Sequence, residues 1–78
     1  MPRNIELIKW LDPHSDISWA KGDNNQMPSV CWSVGLVITD GETHIVLAAD
    51  WSDDETNTRL VFPKGAIISR HIIYSIDD

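Results

Sequence analysis

Seventy-eight residues, 42% of them hydrophobic and four of them tryptophan, bound the chain to one small domain whose core lies near the lower limit of sufficiency. Twelve acidic residues against six Lys and Arg give a net charge of −6, which disfavours nucleic acid as a partner because phosphate affinity rests largely on Lys and Arg. A single cysteine, Cys31, excludes an internal disulfide framework; no apolar run reaches the ~20 residues that span a bilayer and no secretory signal shows, so a cytoplasmic location is expected.

Ile5–Leu11 reads as a first strand, with Ile8 and Trp10 on one face and Leu7 and Leu11 on the other. A short helical turn over residues 3–8 competes with it. Asp12-Pro13 ends the strand, since proline cannot donate to a ladder. From Asp12 to Pro28 the chain is polar, with Gly22-Asp23-Asn24-Asn25 as a turn-forming tip and Ile17 and Trp19 as its hydrophobic anchors. Loops of this length tend to be functional.

Ser29–Thr39 alternates cleanly: Val30, Trp32, Val34, Leu36 and Ile38 share one face, and Cys31, Ser33, Gly35, Val37 and Thr39 the other. Gly35 in mid-strand predicts a sharp bend or a close backbone approach. Asp40-Gly41 predicts a tight hairpin turn, with Thr43–Trp51 as the returning strand. Ser52-Asp53-Asp54-Glu55 is a charged loop, and Asn57–Phe62 a fourth strand with Leu60 and Phe62 on one face. Pro63-Lys64-Gly65-Ala66 breaks the run before Ile67–Ile76, where alternation fails near Ser69–His71 and predicts a bulge. This punctuation predicts an all-β single domain over residues 1–78, closing as a small five-stranded barrel. Trp10, Trp32 and Trp51 are expected in the core or an interface. Val37, Val46, Ile67 and Ile73 fall opposite the presumed core, so a homo-oligomer is expected.

Chemistry-bearing patterns are sparse. His14, His44, His71 and Cys31 lack a metal-ligand spacing. Asp50, Asp53, Asp54 and Glu55 lack the alternation and glycine of a calcium loop. The glycines at 22, 35, 41 and 65 never cluster into a phosphate-binding loop. Cys31 lies between Val30 and Trp32 without a paired base. No catalytic residue, metal or cofactor is therefore assigned, and the chain reads as non-enzymatic. A binding site, if present, is expected on the rim formed by Asp16–Met27 and Ser52–Asn57, with Trp19 either pinning its loop or touching a partner.

The long first loop, the central hairpin and the short break before the last strand resemble an SH3-like barrel, a layout that Sm-like barrels share. Leu60-Val61-Phe62-Pro63-Lys64-Gly65-Ala66-Ile67-Ile68 is similar to the strand, 3₁₀-turn and strand junction of such barrels. More narrowly, Ile8-Lys9-Trp10-Leu11-Asp12, Ser33-Val34-Gly35 and Phe62-Pro63-Lys64-Gly65-Ala66-Ile67 resemble a group of small, mostly uncharacterised bacteriophage proteins. The resemblance implies a five-stranded SH3-like barrel with a long first loop. It also implies a phage-encoded accessory protein that binds a host or phage protein in the host cytoplasm. Residues 12–28 contain no Tyr, unlike the polyproline-binding SH3 domains, and Leu47–Asp50 lacks the Asn of Sm-like RNA binders. The alternative is an oligomeric protein that sequesters a nucleotide signal, with Lys64, Arg59 or Arg70 on the phosphate and Trp19 or Trp51 stacked on the base. Sm-like RNA binding ranks third.

Overall fold

The computed structural model describes residues 3–13 and 27–76. Most of the expected rim at Asp16–Met27, with Trp19 and also His14, lies outside the described residues. The five expected strands form as β1 (Arg3–Asp12), β2 (Ser29–Asp40), β3 (His44–Trp51), β4 (Thr56–Pro63) and β5 (Ile67–Ile76), with a 3₁₀ turn at Lys64–Ala66. The helical turn considered over residues 3–8 does not form, because β1 runs through it. All pairings are antiparallel, within one sheet of order β4-β3-β2-β1-β5. β4 and β5 are its two edges, so the expected barrel is not closed by a ladder between them.

The core forms where inward positions of the strands meet. Ile8, Ile45, Leu47 and Phe62 are its buried members, with Trp10, Val37 and Ile67 packed against them. Each such side chain contributes roughly 1.5–3 kcal/mol by leaving water. Trp10 meets Phe62 edge to face, with ring centroids 4.9 Å apart, and its Nε1–H donates to the Ser33 Oγ at 3.0 Å. Two outward assignments are corrected here. Val37 stands opposite Leu47 in the ladder, and Ile67 opposite Trp10, so both are drawn onto the core. Leu36 and Ala48, paired across β2 and β3, are buried on the opposite side of the sheet.

Gly35 carries the close approach that its position predicts. A Cβ there would lie 2.8 Å from the Ala48 carbonyl oxygen and 3.1 Å from the Leu47 Cβ. Any side chain would push β3 away at the point where Val37 and Leu47 pair. The hairpin between β2 and β3 is wider than a two-residue turn. It is closed by the Gly41 N–H donating to the His44 carbonyl at 2.9 Å, while Lys64 N–H donates to the Thr43 carbonyl at 2.8 Å and ties the 3₁₀ turn to the hairpin.

The last strand deviates from simple alternation as expected, though at two points flanking Ser69–His71. Its register against β1 slips between Lys9 and Trp10 and again between Ile5 and Glu6, leaving Ile68 and Ile73 as the extra residues. Among the described residues, no helix is long and apolar enough to cross a membrane.

Candidate functional site

Three places on the described surface gather chemistry: an apolar face, an ion network and an open cleft. The apolar face lies on the outer side of β1 and β2. The register sets Leu7 opposite Val34, Lys9 opposite Trp32 and Leu11 opposite Val30. On the other flank of β1, Tyr74 stands opposite Ile5. Trp32 is 56% exposed, and Val30, Val34 and Tyr74 are exposed as well. The core alternative for Trp32 is thereby corrected. The inward side of β2 is built from Cys31, Ser33 and Gly35, small residues that make room for Trp10 and for the β3 backbone. Its large residues therefore face out. Lys9 Nζ sits 5.3 Å from the Trp32 ring centroid, a cation–π contact over an aromatic that otherwise meets solvent.

The ion network occupies the inward side at the other end of β2. Glu6 is in phase with Ile8 and Trp10 on β1 and is buried. Its two carboxylate oxygens accept from Arg70 Nε at 2.8 Å and Nη2 at 2.9 Å, a bidentate geometry. Arg70 Nη2 also donates to Asp40 Oδ2 at 3.1 Å, and Lys64 Nζ lies 2.8 Å from Asp40 Oδ1. Hydrogen bonds from Lys64 and then Arg70 hold the Asp40 carboxyl below its ordinary range. Hydrogen bonds to Glu6 and then Asp40 raise the Arg70 guanidinium above its ordinary value, so it stays charged throughout the working pH range.

The cleft, about 290 Å³, lies at the β3–β4 turn and is lined by Asp50, Trp51, Ser52, Glu55, Thr56 and Asn57. Trp51 ends β3 and is 37% exposed, so it forms a wall of this cleft. It is no member of the core cluster.

Among the residues proposed from sequence, Lys64 and Arg70 come together, but on Asp40. Arg59 stands opposite Ala48 on β4 and is exposed, apart from that pair. Trp51 lies six residues along β3 from Ile45, the neighbour of Asp40. At about 3.3 Å per residue that is roughly 20 Å from the cations. One copy of the chain thus keeps Lys64 and Arg70 apart from Trp51, whereas Arg59 stands opposite Ala48, three residues along β3 from Trp51; Trp19 lies outside the described residues. Sequence reasoning missed Glu6 and Asp40. The signal for Glu6 was available: a carboxylate in register with two core residues requires a cation opposite it. Among the described residues no three His, Cys, Asp or Glu side chains gather as a metal site would require.

The chain matches no family model, no curated protein and no solved structure.

Proposed function

We propose that the chain is a non-enzymatic binding module that acts by holding another protein against the outer face of β1 and β2. The observation that carries this reading is Trp32, 56% exposed in mid-strand between two exposed valines. Contiguous apolar surface on a soluble protein marks an interaction site more often than an isolated exposed residue does, and Trp is among the side chains that dominate binding energy. The sheet order and the 3₁₀ turn before β5 support an SH3-like barrel as the finer description of the fold. The resemblance of its three motifs to bacteriophage proteins supports an accessory role in a bacterial host. A net charge of −6 suits a basic partner.

The nucleotide-sequestering reading has less support. Lys64 and Arg70 converge, yet Asp40 and Glu6 already match their charge. Affinity capture from a bacterial lysate tests the leading reading, with the unmodified chain beside Trp32→Ser. The expected result is a captured protein that disappears with the substitution while the melting temperature changes little. Equal capture by both chains, or a collapse of the fold in Trp32→Ser, contradicts it.

A further inference from the structure

β2 pairs with β1 along Ser29–Leu36 but meets β3 only along Leu36–Asp40. Among the described residues, no strand pairs with the other side of Ser29–Val34. Among the described residues that stretch is therefore a third unpaired edge of the sheet, besides β4 and β5. The other two edges carry features that deter strand addition. β4 has Thr58 in the left-handed region (φ 53), Arg59 and a terminal Pro63. β5 has Arg70, His71 and two register slips. Ser29–Val34 has no charged residue and no proline, and its pairing with β1 runs without a slip.

We propose that Ser29–Val34 is a homodimer interface, in which β2 pairs antiparallel with β2 of a second copy about a two-fold axis at Trp32. The segment is self-complementary about that point, as an isologous contact requires. Val30 then stands opposite the partner's Val34, Trp32 opposite the partner's Trp32, and Val34 opposite the partner's Val30. Apolar and aromatic cross-strand pairs of this kind stabilise antiparallel ladders. Charge does not oppose a second copy at this edge. Two chains of net charge −6 repel each other where carboxylates meet, and no acid lies within Ser29–Val34. Pairing satisfies the free backbone groups of this edge and joins the two exposed Trp32 strips into one continuous face.

Sedimentation of the full chain at micromolar concentration tests this, with two double variants. The unmodified chain is expected at twice its 8.8 kDa mass. Val30→Lys with Val34→Lys places like charges opposite each other twice across the axis, and is expected to weaken the dimer by about tenfold or more. Val30→Lys with Val34→Glu places opposite charges at the same positions and is expected to dimerise again. A monomeric unmodified chain overturns the proposal, whether or not another protein's strand occupies the edge. So does a dimer indifferent to the two lysines, or a lysine–glutamate variant that stays monomeric while folded by circular dichroism. Should either variant fail to fold, amide exchange of the unmodified chain decides. Protection across Ser29–Val34 that rises with protein concentration supports the interface, and protection that does not rise overturns it. The proposal stands apart from the protein-binding reading: a monomer that still captures a partner through Trp32 sinks only the dimer, and a dimer that captures nothing sinks only the partner.

Discussion

Removing one end of the Glu6–Arg70 pair should cost far more than removing the other. Glu6 is almost wholly enclosed, its side chain 5% exposed, and Arg70 is its bidentate partner; the Arg70 side chain is 29% exposed and keeps Asp40. Arg70→Met strands a buried carboxylate, a change that typically costs about 3–5 kcal/mol. Water reaching the arginine's position places the expected loss at the lower end, about 3 kcal/mol. Glu6→Gln leaves an amide oxygen that still accepts one hydrogen bond, and Arg70 remains paired with Asp40. Its expected loss is about 1 kcal/mol. Glu6→Leu combined with Arg70→Met removes both charges and should be more stable than Arg70→Met alone. For a chain of this size total stability is on the order of 4–10 kcal/mol, so the difference is well within reach of urea titration with a shared slope. Equal losses for the two single variants, or a larger loss for Glu6→Gln, would refute the reasoning.

Gly35→Ala drives a methyl group to 2.8 Å from the Ala48 carbonyl oxygen and should cost about 2 kcal/mol, a fall of roughly 8–16 °C in melting temperature; an unchanged melting temperature contradicts the close approach. Thr58 is β-branched at φ 53, so Thr58→Asn, which tolerates that region, should stabilise by about 0.5–1 kcal/mol in urea titration. The Asp40 carboxyl is depressed below its ordinary 3.8 by Lys64 and Arg70. Its contribution to stability is therefore complete above about pH 4 and is lost as the pH falls through its folded value. Asp40→Asn should lower stability at neutral pH and flatten the acid limb of the stability profile; an unaltered acid limb contradicts the pairing.

Strand existence was legible because alternation, Gly35, the Asp40-Gly41 signal and the Pro63–Ala66 break each act locally on the backbone. Which side of β2 faces the core was not. Period-two alternation identifies two faces without ranking them, and the larger face, with Trp32, looked like the interior. The choice is made by β1: Trp10 and Glu6 point inward and need small neighbours, and Cys31, Ser33 and Gly35 supply them. Val37 is in phase with Ser33 and Gly35, so its inward placement was hidden by the same choice of face. Ile67 was hidden by a register slip, because Ile68 is an extra residue between Ile67 and Ser69 and breaks the alternation there. Lys64 and Arg70 do share a site, but sequence separation concealed Glu6 and Asp40, the acids that hold them. Trp51 was visible as an aromatic at a strand end; its role as a cleft wall depends on the turn geometry at Ser52–Glu55, where the Ser52 N–H donates to the Glu55 carbonyl at 2.8 Å.

The central claim is that the outer face of β1 and β2 holds a protein partner, and amide hydrogen exchange with and without the captured partner tests it most directly. Protection on binding should fall on Leu7–Leu11 and Val30–Val34. Protection confined to the Asp50–Asn57 cleft, or to the Lys64–Arg70 end of the sheet, would contradict it.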